Sequence, residues 1–417
     1  MKRGVVVSVG VLGLAALAAD RSPPAESRAA PAGAPVAVVG TSSCSARSCH
    51  GGDEPRPERV TRSEFTIWSE LDPHTRSLAV LFTDESNRIA RLIGSDKPAS
   101  EEPRCLACHA EPVRDHGRIV PHAIGCESCH GSASLWIDPH TLGGDWRAKH
   151  PQAAATFIDV NDLAATALTC AGCHVGSPAS LFGVPRDMNH DMIAAGHPRL
   201  TFDFAGYLAQ LPPHWNSSKH AGDPRFFGRA WAIGQAASAV AALDLLTHRT
   251  QQPTWPELAE FACYSCHHNL RGSSGWRAER DASPGVPTWG TWHFAAIPAL
   301  TSDADVRRTI DELRTRVQKR APGEPVRAAA GQLRSDLVDL LKPGTPPDRF
   351  TVIETLKDAA RSDWDGAAQL YLALAALGSD SDRARLRKAW PRLRSPAEFD
   401  RRIAPELESI GRNPSPP

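Results

Sequence analysis

The arrangement of its cysteines constrains this 417-residue chain more than any other feature. The chain contains ten cysteines in five pairs, and a histidine directly follows the second cysteine of every pair. Four pairs have the spacing Cys-x-x-Cys-His, whereas the first pair has four residues between its cysteines. The five units are Cys44/Cys49/His50, Cys105/Cys108/His109, Cys126/Cys129/His130, Cys170/Cys173/His174 and Cys263/Cys266/His267.

Cys-x-x-Cys-His is the attachment signature of c-type haem. The two thiols add to the vinyl groups of the porphyrin, and the histidine becomes a ligand of the iron. Zinc is the alternative, because cysteines two residues apart also build zinc sites, but a zinc ribbon does not require a histidine after every pair. We therefore predict five covalently bound haem c groups. Four come from the regular units, and the fifth comes from the longer unit at Cys44/Cys49.

The second axial ligand of each iron decides its chemistry. A second histidine closes the iron for electron transfer, whereas an open position permits substrate chemistry. Four of the twelve other histidines are predicted distal ligands: His74, His140, His190 and His197. For His122, four residues before Cys126, and for His268, directly after a proximal histidine, a distal role and an ordinary role remain equally open. The remaining six are predicted to be surface, helix or propionate-contact residues: His116, His150, His214, His220, His248 and His293.

The N-terminus indicates export. Residues 1–19 have a short basic start and an apolar run ending in Ala-Leu-Ala, which is typical of a secretory signal peptide. Covalent haem c is assembled outside the cytoplasmic membrane, so we expect a periplasmic protein, tethered to the membrane only if this segment stays uncleaved. The 47 basic and 47 acidic residues balance, and no net charge points to nucleic acid as a partner. Residues 20–40 are a low-complexity linker.

The remaining chain is predicted to be mainly α-helical. Residues 41–270 form a multihaem cytochrome domain, in which stacked haems provide the core and regular structure is sparse, with no alternating strands. The longest helix is expected within Asp223–Thr250, and Trp255–Cys263 is expected to be one more helical segment. A Pro/Gly/Ser-rich linker covers 271–290. Residues 291–412 contain amphipathic runs at helical spacing, which indicate a C-terminal helical bundle.

Several motifs resemble a known family. CESCHG followed by WIDPH, then CAGCHVG, DMNHDMIAAGHPRL and WPELAEFACYSCHHNL, is similar to the multihaem cytochromes c grouped with cytochrome c-554. The resemblance covers roughly Thr41 to Leu270. It implies a mostly helical fold, stacked haem pairs and mostly bis-histidine iron, with room for one five-coordinate haem. It also supports the four distal ligands predicted above. The founding member has four haems, whereas this chain has five attachment units.

These observations favour an exported pentahaem cytochrome that transfers electrons between redox protein partners, rather than an enzyme. The alternative is an oxidoreductase in which one open iron acts on a small nitrogen or sulfur compound. In a third interpretation, the C-terminal helices form a module that docks the cytochrome onto a membrane or periplasmic complex.

Overall fold

Helix is the main secondary structure, as the sequence predicts. The computed structural model describes residues 37–52, 62–215, 223–267, 285–394 and 399–413. The predicted signal peptide at 1–19, His220 and His268 lie outside the described residues.

Nine shorter described helices precede the long central helix, α10 Phe226–Arg249. They are α1 Glu64–Leu71, α2 Asp84–Leu92, α3 Pro103–His109, α4 Cys126–His130, α5 Trp146–Lys149, α6 Pro151–Ala154, α7 Leu163–His174, α8 His190–Ala194 and α9 Phe204–Gln210. Turns of 3₁₀ helix lie at Thr41–Cys44, Pro73–Arg76, Ala79–Phe82, Ala133–Leu135, Pro139–Leu142, Leu258–Glu260 and Cys263–Ser265. Aspartates cap several of these elements; Asp162, for example, accepts a hydrogen bond from the Ala164 amide at the start of α7.

A β-hairpin corrects the expectation that this half contains no paired strands. Strand β1, Glu111–Asp115, pairs antiparallel with β2, Arg118–His122. The two loop residues, His116 and Gly117, have φ angles of 44° and 79°. Positive φ at both central positions matches the right-handed twist of hairpin strands, and such loops are usually Asn-Gly or Asp-Gly. Histidine in place of Asn or Asp therefore weakened the sequence signal.

The predicted helix at Trp255–Cys263 is also wrong. Leu258–Glu260 forms one 3₁₀ turn, and Cys263 begins another. The residues between the two turns are extended, because the Gly290 amide donates to the Glu260 carbonyl and the Ala262 amide donates to the Thr288 carbonyl. Backbone groups that bond to a distant segment are no longer available for a helix.

The predicted long helix is confirmed as α10, and it lies at the centre of the main core. Trp231, Leu243 and Leu246 on this helix are almost completely buried. Of the described helices, α10 alone is long and apolar enough to cross a membrane by length and composition, but 78% of its apolar window is buried inside the protein. A helix that is apolar all round fits such a buried position.

The C-terminal helices surround α10. They are α11 Ile297–Leu300, α12 Ala304–Gln318, α13 Gly323–Val338, α14 Arg349–Ser362, α15 Trp364–Leu377, α16 Asp380–Ala389 and α17 Ile403–Arg412, with 3₁₀ turns at Asp339–Leu341 and Trp390–Arg392. One buried cluster joins α7, α9 and α10 to α14–α17, and a second joins α10 to α12 and α13. The Arg199 guanidinium also donates two 2.9 Å hydrogen bonds to the Asp365 carboxylate on α15. The predicted helical bundle is thus packed directly on the half of the chain that contains the Cys/His units.

Among the described residues before α7, apolar side chains form only small clusters. One is centred on Leu81, Ala90 and Leu106, and another on Ala133, Trp136 and Ala153. A segment of this length needs more buried apolar surface than these clusters supply. The bulk of the predicted haems is compatible with that gap.

A buried carboxylate links α9 to α10. Asp203 caps α9 by accepting a 2.7 Å hydrogen bond from the Gly206 amide, and Gln235 on α10 donates to it at 3.3 Å. Asp203 is only 4% exposed, and burial raises its pKa from 3.8 to about 6. An ionised Asp203 is therefore more costly in the folded than in the unfolded protein.

We predict that Asp203→Asn stabilises the protein at neutral pH. Well below pH 3.8 the wild-type carboxyl is protonated in both states. As the pH rises from there towards 6, the unfolded chain ionises first, and wild-type stability falls. The free energy of unfolding of the Asn variant, relative to wild type, should therefore rise by about 2–3 kcal/mol between pH 4 and 7. Denaturant titrations at several pH values measure this difference. Asp162→Asn, at an exposed helix cap, should show no such dependence; a pH-independent difference for Asp203→Asn would contradict the prediction.

Candidate functional site

The Cys-x-x-Cys-His units lie on short helical elements. Three of them end, or form, the helices α3, α4 and α7. Residues three and four positions apart share one face of a helix, so each unit presents both cysteines and its histidine towards the same side. In the first unit, the His50 amide donates to the Cys44 carbonyl at 3.3 Å, which closes a loop around the two additional residues. The longer unit thereby brings its histidine back to its first cysteine.

Each proximal histidine faces a second histidine from a distant part of the chain. The distances between ring centres are 6.4 Å for His50/His140, 6.1 Å for His74/His174, 6.3 Å for His109/His197, 6.5 Å for His130/His214 and 6.4 Å for His190/His267. The ring planes are within 27° of parallel in His50/His140 and His190/His267, and 71° to 74° apart in the other three pairs.

This spacing fits two imidazoles on opposite sides of one metal ion. Imidazole nitrogens bind first-row metal ions at about 2.0–2.1 Å, and with the ring centre about 1.1 Å further back, two such rings are about 6.3 Å apart. Five separate pairs have ring centres between 6.1 and 6.5 Å apart. In every one of the five pairs, one member is the histidine of a Cys/His unit.

The number of ligands favours haem attachment over a zinc site. All ten cysteines are free. A structural zinc site needs four protein ligands. The described residues also contain no group of three or more His, Cys, Asp or Glu side chains arranged to hold a metal ion. Haem iron requires only two protein ligands, which is what each pair provides.

Sequence reasoning missed His214 as a member of a pair. We expected an ordinary role for it, but its ring lies opposite His130, beside Trp215. His122, which was equally open to a distal role, lies exposed at the end of β2, and among the described residues no proximal histidine lies opposite it. A proline precedes both His122 and His214, so the local sequence does not separate them. His116 is 95% exposed in the hairpin loop.

The fifth unit is more exposed than the others. His267, its predicted proximal ligand, is exposed, as are Cys263 and Cys266, whereas the other four proximal histidines are half-buried. The reason is local, because the unit begins with a single 3₁₀ turn, Cys263–Ser265, whose cysteines lie at the surface. The ring of His267 nevertheless lies opposite that of His190.

Four of the pairs form a series of neighbours, the row, in which groups of each pair lie within electrostatic range of groups of the next or of a shared carboxylate. Burial, together with the electrostatic effects of the neighbouring His214 and His50, lowers the pKa of His130 to about 4. Burial similarly lowers the pKa of His174 to about 4, with contributions from His74 and His109. The neutral imidazole that results is the form that binds metal.

The Asp72 carboxylate lies within electrostatic range of both His74 and His214, which indicates that His74/His174 and His130/His214 are neighbouring pairs. The order is thus His50/His140, His130/His214, His74/His174 and His109/His197.

The fifth pair, His190/His267, is held by Arg249 at the end of α10. The guanidinium donates to Asp187, three residues before His190, and at 2.7 Å to Glu260, three residues before Cys263. Cys263 also lies within electrostatic range of Arg199, which follows His197 by two residues. The exposed cysteines Cys49, Cys263 and Cys266 belong to the first and fifth pairs.

The groups behind the paired histidines differ in charge. The Nδ1 atom of His74 lies 2.8 Å from the Asp72 carboxylate, and that of His50 lies 3.1 Å from the Glu64 carboxylate. In contrast, three other rings have a neutral backbone carbonyl at Nδ1: His109 with Ser77, His140 with Ile137 and His197 with Pro198. These contacts fix the orientation of the rings and influence their basicity as ligands.

A family model described as cytochrome c554 and c-prime matches residues 43–131. The match covers about a fifth of the chain and includes the first three Cys/His units. It confirms the resemblance over this segment and indicates a c-type cytochrome, with covalently bound haem, iron and electron transfer. No curated protein and no solved structure matches the chain.

Proposed function

We propose that this protein is an exported pentahaem c-type cytochrome, which transfers electrons between redox partners in the periplasm. One observation carries the proposal: each of five proximal histidines faces a second histidine at the distance expected across one iron. The ten cysteines provide the two thioether bonds for each of the five haems.

Bis-histidine ligation favours a carrier over an enzyme. Haem supplies the one-electron chemistry when it is bound, and a second histidine excludes substrate from the iron. The alternative oxidoreductase requires an iron without such a histidine. With His214 opposite His130, every proximal histidine has a partner, which leaves no unit of the chain for an open iron. The protein's part is to hold the rings, exclude water and orient Nδ1 towards fixed acceptors.

The arrangement of the pairs supports conduction along a row. Consecutive pairs lie within electrostatic range of each other, and the more exposed attachment sites belong to the first and fifth pairs. We therefore propose that electrons enter and leave near Cys49 and near Cys263/Cys266. The periplasmic location is supported by the signal sequence at 1–19 and by the assembly of haem c outside the cytoplasm.

Mass and spectrum of the purified protein test the proposal together. We expect an intact mass equal to the mature polypeptide plus five haems, and an absorption spectrum of low-spin haem that carbon monoxide does not change. Bis-histidine iron has no free position for the gas. A mass with four haems would remove the Cys44/Cys49 site. A high-spin fraction that binds carbon monoxide would instead support the alternative oxidoreductase.

We predict that His214→Ala opens one iron. One haem in five should become high-spin and bind carbon monoxide, because the substitution leaves His130 as the single protein ligand. His122→Ala is the matched control, since this exposed histidine also follows a proline, and its spectrum should equal that of wild type. A carbon monoxide response in the His122 variant and not in the His214 variant would reverse the assignment. Carbon monoxide titration with optical detection measures both.

We also predict two classes of low-spin signal in the electron paramagnetic resonance spectrum of the oxidised protein. Near-perpendicular imidazole planes give a highly anisotropic signal with a large maximum g value, and near-parallel planes give an ordinary rhombic signal. From the ring angles we expect three haems in the first class and two in the second. A spectrum of one class alone, integrated over all five haems, would contradict these ring orientations.

A further inference from the structure

The tetrapeptide Asp-Pro-His-Thr occurs twice in this chain, with different surroundings. It forms Asp72–Thr75 and Asp138–Thr141, and in both copies the proline begins a 3₁₀ turn. In both copies the histidine belongs to one of the five pairs, His74 opposite His174 and His140 opposite His50. The two copies therefore provide an internal comparison of one local sequence in two environments.

In the first copy the aspartate contacts the histidine ring. Asp72 has an extended backbone (φ −80°, ψ 125°), which turns its carboxylate back over the turn. One carboxylate oxygen accepts the His74 amide at 2.9 Å and lies 2.8 Å from His74 Nδ1. Asp72 is only 5% exposed. The interaction between its charge and the ring is thus weakly screened by solvent.

In the second copy the aspartate is exposed and the ring has a neutral partner. Asp138 has a helical backbone (φ −77°, ψ −51°), and its side chain caps nothing. The Nδ1 atom of His140 lies 2.5 Å from the Ile137 carbonyl and 3.2 Å from the Trp136 carbonyl. The difference in one ψ angle therefore decides whether the ring has a carboxylate or a carbonyl behind it.

A carboxylate behind a metal-bound imidazole raises its basicity as a ligand. It draws on the Nδ1 proton and gives the ring partial imidazolate character, which favours the oxidised form of the bound iron. A neutral carbonyl does this much less. Hydrogen bonding around the ligands is one of the means by which a protein sets the reduction potential of haem.

We propose that Asp72 is a positioning residue that sets the lowest reduction potential in the row, at the iron held by His74 and His174. The proposal rests on the proposed function, since it requires a haem at that pair. Glu64 acts in the same sense on His50, but its side chain is 28% exposed against 5% for Asp72, and solvent weakens its effect. Asp72 also faces His214, so its charge lowers the potential of the neighbouring iron to a smaller degree.

Because of the position of His74/His174, the charge of Asp72 affects electron transfer through the whole row. His74/His174 lies between His130/His214 and His109/His197 in the row. A low-potential site at this point stays oxidised after its neighbours are reduced. The haems on either side of it can then hold electrons separately. An electron that passes from one side to the other must first reduce the low-potential iron, which is energetically unfavourable.

The test compares Asp72→Asn with Asp138→Asn in the full-length holoprotein. Asparagine retains an oxygen to cap the turn and accept from Nδ1–H, but removes the charge. We expect spectroelectrochemical titration to show the lowest midpoint potential of wild type shifted upwards in Asp72→Asn by at least a tenfold change in the one-electron equilibrium constant, which is about 59 mV. Asp138→Asn should leave all five potentials unchanged, and Asp72→Glu, which keeps the charge, should shift the lowest potential less than Asp72→Asn.

The outcomes separate this inference from the proposed function. If Asp72→Asn retains five low-spin haems and its potentials equal those of wild type, Asp72 is only a structural cap and the inference is overturned. If Asp138→Asn shifts the potentials as much, the effect is not specific to the buried carboxylate and the inference is likewise overturned. A wild-type protein with fewer low-spin haems would overturn the proposed function itself. If Asp72→Asn does not accumulate, Glu64→Gln decides the question at His50/His140, where a smaller upward shift is expected and no shift overturns the inference.

Discussion

Opposition of two imidazoles across a fixed gap is the constraint on which the haem-bearing half of this protein depends. Each pair joins segments that are far apart in the chain, such as His50 with His140 and His130 with His214. Short helices and turns hold the proximal histidine at each site. Another segment of the chain must then fold back to bring the second histidine opposite it. Long regular elements could not change direction often enough to satisfy five such pairs. The sparse secondary structure before α10 follows from this requirement.

The second organising element is α10, which belongs to both apolar clusters of the main core. On one side it packs against α7, whose last residue is His174, and on another side against the C-terminal helices. The C-terminal bundle therefore supports a helix that carries a paired histidine. The Arg199–Asp365 ion pair adds a second connection close to His197. In this arrangement the C-terminal helices stabilise the geometry of the sites, whatever they contact outside the protein.

The sequence predicts the features that depend on local spacing. It does not predict the contacts between residues that are distant in the chain. Local patterns predict the Cys/His units, α10 and the C-terminal helices. The spacing of the cysteines and the periodicity of the apolar residues can each be recognised over a few turns of chain. His214 and His122 both follow a proline, and only tertiary packing places the former opposite His130. The hairpin was missed because His116 takes a loop position where Asn or Asp is usual. The spacing of a unit also does not indicate its exposure, since the unit of the exposed His267 has the same spacing as three units whose histidines are half-buried.

Arg249 makes the fifth pair mechanically different from the others. One guanidinium holds the segments before His190 and before Cys263, and the Glu257 carboxylate accepts the amide of His190 itself at 2.9 Å. The segments that carry both rings of this pair are therefore bonded to the same end of α10. A displacement of α10 carries the two rings together, and the gap between them is preserved. At this exposed site, the shared attachment to α10 keeps the distance between the two rings independent of movements of the helix.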